Sequence, residues 1–150
     1  MHAVTGKVRR EPAPGCEDLC VDHPHVNPLF EGRRECRYVY ASISNEVRCS
    51  GPPLGYVRID LRTGQTQKWW AGNRTFCEEC VLVPKAECDG AGGTDDRCWV
   101  LGMCVSHDAT GAGRSSLVVL DGEDLGKGPV ARVWLDNQIP HGLHGMFVPA

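Results

Sequence analysis

YVRIDLRTGQTQKWW, residues 56–70, is the stretch that decides the fold. Two short runs rich in β-branched and aromatic residues flank Thr63-Gly64. Such residues fit a pleated surface, and glycine takes the left-handed backbone that tight turns between antiparallel strands need. Residues 56–60 are therefore expected to pair with residues 65–70 as a β-hairpin.

Working outward, the same design recurs. In CWVLGMCVSHDATGAGRSSLVVLDGEDL, residues 99–106 and 116–120 flank a turn containing Gly111 and Gly113. CRYVYASI (36–43) and PVARVWL (129–135) each supply one more strand. Nowhere do apolar residues hold the i, i+3, i+4, i+7 register for the ~11 residues a helix needs, so the class is all-β. The 18 glycines and 10 prolines suit short strands joined by tight turns. Polar, Pro- and Gly-containing stretches at 1–17, 44–54 and 86–97 read as loops. They separate hairpins of the size of partial propeller blades, although a sandwich satisfies the pattern equally.

At 150 residues the chain is about one domain long. With 16 Lys and Arg against 19 Asp and Glu, it lacks the basic excess of a nucleic-acid binder. No window approaches the ~18 apolar residues of a membrane-spanning helix, and residues 1–14 lack the apolar centre of a secretory signal. An intracellular protein is expected, and the compartment, plastid or cytoplasm, is left open. Nine cysteines, an odd number without a secretory signal, argue for reduced thiols rather than a disulfide framework. Cys77 and Cys80 form a C-x-x-C, and Cys16 and Cys20 lie four apart, so a small zinc-binding module built on them is one reading. A non-catalytic β-repeat that serves as an interaction surface is another.

Specific motifs point elsewhere. In order, DHPHVNPLFEGRRECRYVYA, YVRIDLRTGQTQKWW, EECVLVP, DDRCWVLG, SSLVVLDGEDLGKGPVARVWL and IPHGLHGMF resemble the C-terminal third of the carotenoid cleavage oxygenase family. That family includes lignostilbene dioxygenases and the retinal pigment epithelium isomerase. The resemblance runs from about Asp22 to Pro149. It implies a seven-bladed β-propeller whose axis holds a non-haem Fe(II) bound by four histidines. The iron activates O2 to cleave a conjugated C=C bond of an apolar polyene or stilbene into two carbonyl products. By this resemblance the chain is a C-terminal fragment. Residues 1–21 form a loop-rich segment and residues 22–150 the last two blades or so. The other three iron histidines should lie upstream, so the fragment alone is expected to be inactive and prone to association through open strand edges.

The resemblance also implies roles for single residues. The family's last iron histidine sits in G-F-H-G, and G-L-H-G puts His144 there. Glutamates hydrogen-bond the iron histidines; Glu79 in EECVLVP matches E-P-x-F-V-P, and Asp22 in DHPHVN stands where E-F-P-x-x-N has a glutamate one methylene longer. A carboxylate that accepts the free N–H of a ligating imidazole fixes its tautomer and orientation. Glu78 is expected on the opposite face of the strand, because side chains alternate. His2, His23, His25 and His107 match no motif and read as surface or loop residues. Asp95 and Asp96 read as a structural turn. His141 stands where the family has an aromatic residue. In an extended segment it faces away from His144, three residues on; Pro140, Gly142 and Gly145 disfavour the helix that would bring the two together.

Overall fold

A computed structural model describes residues 6–8, 11–12, 15–45, 51–86 and 93–149. Strands β1 (Cys20–His25), β2 (Tyr38–Ser44), β3 (Gly55–Asp60) and β4 (Thr66–Trp70) form one antiparallel sheet. Strands β5 (Thr75–Pro84), β6 (Cys98–His107), β7 (Gly113–Asp121) and β8 (Pro129–Trp134) form a second. Both are four-stranded meanders in chain order, and among the described residues the only helical turns are two short 3-10 segments. The all-β expectation holds. His2, Cys49 and Cys88 lie outside the described residues.

Both expected hairpins are present. β3 pairs with β4 from Gly55↔Trp70 to Ile59↔Thr66, and β6 with β7 from Trp99↔Asp121 to His107↔Gly113. Gly64 has φ of +73°, and its amide donates to the Asp60 carbonyl at 2.8 Å. The Asp60 carboxylate accepts the Arg62 and Thr63 amides, so the turn is closed by side chain as well as backbone.

The two sheets pack face to face. Tyr38, Tyr40, Tyr56 and Trp69 of the first lie against Cys77, Cys80, Leu82, Cys98, Val100, Cys104, Val118 and Leu120 of the second. Large rings reach across, and their polar tips find partners on the far sheet, which removes the cost of burying a hydroxyl. Tyr40 donates to the Gly122 carbonyl at 2.9 Å and Tyr56 to the Glu78 carbonyl at 3.0 Å. Gly102 is required here: a Cβ would lie 2.0 Å from the Tyr56 hydroxyl. At the edge, the Asp95 carboxylate accepts the Arg37 and Tyr38 amides, and Asp96 pairs with Arg58 at 3.1 Å. The acidic turn is thus a structural clamp between the sheets.

The first sheet is covered on its other face too. Cys16 and Leu19 close over Val21, Ala41, Ile43, Val57 and Ile59. The second sheet is not: Val83, Trp99, Leu101, Val119 and Val130 line an apolar groove with Phe147, and Val130 and Val133 are exposed. Cysteines 16, 20, 36, 77, 80, 98 and 104 form no disulfide, and burial pushes Cys80 up to about 12. Cys77 and Cys80 sit in the core between the sheets whereas Cys16 belongs to the separate outer cluster, so the cysteine-based zinc site does not assemble.

Candidate functional site

Two irregularities position the site. In β1, Asp22 pairs with Ser42 but His25 with Tyr40, so three residues span what two span on β2. In β5, Cys77 pairs with Cys104 and Cys80 with Gly102. Each is a one-residue bulge, which re-aims the side chains around it. In β1 the extra residue coincides with Pro24, which has no amide to give a ladder, and with His23 at φ of +50°. Directly paired residues share a face, so His25 joins Tyr40 on the side that meets the second sheet. In β5 the bulge puts Cys77 and Cys80, an odd number of positions apart, into the same core. The two residues between them, Glu78 and Glu79, both serve the C-terminal segment.

That second consequence corrects the expectation for Glu78. Strict alternation would send it away from Glu79, yet its Oε1 accepts the Gly142 amide at 2.8 Å. Glu79 Oε2 accepts the Gly145 amide and the His144 Nδ1–H, each at 3.1 Å. Its Oε1 accepts the His25 Nε2–H at 2.6 Å. His25 is therefore a member of the site and not a loop residue. Spacing alone hides both, because each bulge reverses the face that a period of two assigns.

The Glu79 side chain is only 9% exposed, against 34% for His25 and 68% for His144. Burial opposes its charge, but the His25, Gly145 and His144 N–H donors more than offset this and hold its carboxyl below the usual range. It is thus an acceptor at neutral pH, and two imidazoles share it. Because His144 engages it through Nδ1, Nε2 is the nitrogen left for another partner. The His23 ring stands edge-on to His144, centroids 5.7 Å apart, with its Nδ1 2.9 Å from Ser42 Oγ.

Asp22 is exposed, and its Oδ1 accepts the His23 amide at 2.8 Å. Among the described residues that carboxylate meets no imidazole nitrogen. His141 and His144 part company, as an extended segment requires. His141 lines a cleft of about 240 Å³ with Asp22, His23 and Glu78. His144 lines a second of about 260 Å³ with Val81, Leu101, Met103, Leu117 and Phe147. His107 ends β6, its ring edge-on to Phe76. Among the described residues no group of three or more His, Cys, Asp or Glu side chains is placed to hold a metal ion alone. What the C-terminal segment offers a metal is the Nε2 of His144, on a ring oriented by a buried carboxylate. That is how a single histidine of a larger ligand set is presented.

The family model described as retinal pigment epithelial membrane protein matches residues 2–149. The chain belongs to this family. It is 29% identical over 128 residues to the apocarotenoid-15,15'-oxygenase of Synechocystis, an alignment covering 85% of this chain and 24% of that protein. It is 30% identical over 125 residues to a chloroplastic 9-cis-epoxycarotenoid dioxygenase of Arabidopsis thaliana, covering 83% of this chain and 19% of the relative. The solved structure of cobalt-substituted Synechocystis apocarotenoid oxygenase superposes with a TM-score of 0.70 at 28% identity, over 85% of this chain and 25% of that one. The chain therefore spans a quarter or less of these members of the carotenoid-oxygenase family. Among the described residues no helix is long and apolar enough to cross a membrane.

Proposed function

We propose that this chain is the C-terminal part of a non-haem Fe(II) dioxygenase that cleaves a conjugated C=C bond of a carotenoid, apocarotenoid or stilbene with O2, giving two carbonyl products. The observation that carries the reading is the contact of His144 Nδ1 with the buried Glu79 carboxylate, beside a cleft walled by Leu101, Met103, Leu117 and Phe147. Each four-stranded meander is then one blade of a seven-bladed propeller. Residues 22–150 are the last two blades, and residues 1–21 are a lead-in whose final two residues already belong to β1.

Iron, when bound, supplies the activation of O2. The chain's own residues do the rest of what falls to this segment. Glu79 keeps the proton on His144 Nδ1, so Nε2 presents a lone pair to the metal. The Gly142 and Gly145 amides, donated to Glu78 and Glu79, pin the backbone on both sides of His144. The apolar wall receives a polyene and excludes water from it. Asp22 awaits an imidazole from the part of the propeller upstream, where the other three iron histidines lie. The chloroplastic relative supports a plastid location, with the cytoplasm as the alternative.

The test is a chain extended upstream to the full propeller, assayed for bound iron and for O2-dependent cleavage of an apocarotenoid. His144→Ala should lose iron and turnover together, whereas His141→Phe should keep iron and alter substrate preference at most. Iron retained in the first variant, or lost in the second, would sink the assignment. The 150-residue chain should bind Fe(II) only weakly under anaerobic titration, because affinity requires several preorganised ligands.

A further inference from the structure

We propose that His25 is a positioning residue for His144, acting through the Glu79 carboxylate it shares with it. The inference rests on the reading of His144 as a metal ligand and adds a group to it. A carboxylate alone on a strand can rotate about its last two bonds, and either oxygen can turn to any donor nearby. In this chain it cannot. Glu79 Oε1 is taken by the His25 Nε2–H at 2.6 Å, the shortest of its contacts, so Oε2 is committed to His144 and Gly145. The geometry divides the work. His25 sets the plane of the carboxylate, and the carboxylate then sets the proton position and ring orientation of His144.

The fold supplies the rigidity for this. His25 comes from β1 of the first sheet, Glu79 from β5 of the second and His144 from the segment after β8. Both β-strand members sit beside one-residue bulges, and neither side chain would meet the other in a regular ladder. The Tyr56 hydroxyl holds the Glu78 carbonyl at 3.0 Å, which fixes the backbone of the β5 bulge from the core side. Three separately anchored segments thus converge on one carboxylate. His25 is the best buried of the two imidazoles and the only donor to its oxygen among the described residues, so its loss leaves Oε1 without a partner in a half-closed site.

The experiment reads imidazole tautomers in the 150-residue chain by long-range ¹⁵N–¹H correlation. In the unaltered chain His144 should carry its proton on Nδ1 and His25 on Nε2, the latter in slow exchange. His25→Leu, similar in bulk and without a donor, should lower the Nδ1–H to Nε2–H ratio of His144 about tenfold, the scale of one charge-assisted hydrogen bond. His25→Gln retains an N–H at similar reach and should restore it. Unchanged β5–β6 amide shifts establish that the sheets are intact. A His144 ratio that is the same in His25→Leu, or one that Gln fails to restore, overturns the proposal. A fast-exchanging His25 Nε2–H in the unaltered chain overturns it without recourse to any variant. If His144 is already an Nε2–H tautomer before substitution, the Glu79–His144 contact fails, and the metal-ligand reading goes with it. The two failures are thus told apart.

Discussion

The two sheets share one face and differ in the other. The first sheet is covered twice: its inner face packs on the second sheet, and its outer face lies under Cys16 and Leu19. The second is finished on one side only, and its far side keeps Val130 and Val133 in contact with water. A strand pattern of buried and half-buried residues alternating along β6 and β7 shows that both faces of that sheet are apolar. An antiparallel sheet with one solvated face normally alternates apolar with polar. Both sheets are apolar on both faces; the difference is that the first carries a cover of its own, from Cys16 and Leu19, and the second leaves its far face open.

Substitutions can break this comparison. The largest effect is expected at the shared face, where Tyr56→Ala removes a fully buried ring stacked on Trp69 and a hydrogen bond to the bulge. It should cost about 3–5 kcal/mol in urea denaturation, the range for large aromatic truncations. Ile43→Ala, under the cap of the first sheet, should cost about 2–4 kcal/mol. A value near zero would mean that the cap is not formed in solution.

Acid should act next, through the ion pair of Arg37 with Asp60, the carboxylate that closes the Thr63-Gly64 turn. The Arg37 hydrogen bond holds Asp60 well below the usual carboxylate range, with help from Thr63 and Arg62. A depressed folded pKa contributes stability that is complete above the unfolded value of about 4 and is lost as pH falls through the folded one. Melting temperature should therefore drop below about pH 4, and Asp60→Asn should flatten that limb. An equally steep limb in the variant would assign the acid response elsewhere. The smallest effect is expected on the open face: Val130→Ser should change stability by less than about 0.5 kcal/mol. A cost like that of Ile43→Ala would mean that a second copy covers the groove.

The sequence marks some of these features plainly and hides others for a physical reason. The hairpins at Thr63-Gly64 and Gly111 are legible because turn glycines and β-branched runs act locally. β8 is legible for the same reason. β1 is masked by Pro24, and the roles of Glu78 and His25 are masked by the bulges, since a period of two assigns the wrong face to every residue beyond an inserted one. His144 and Glu79 came from motif resemblance, and their contact at 3.1 Å could not have been reached from spacing, because 65 residues separate them.

The segment after β8 carries one more implication, best put in genetic terms. It is held to the body by the Ser115 hydroxyl against Ile139 and by the amides and ring nitrogen that Glu78 and Glu79 accept, while Leu143, Met146 and Val148 stay in water. A premature stop codon after Leu135 would spare every strand and the whole buried interface, yet delete His144. The product would fold, accumulate and react with antibodies raised against the sheets. A screen for lost protein would pass it, and on the proposed role of His144 only an iron or activity assay would find it.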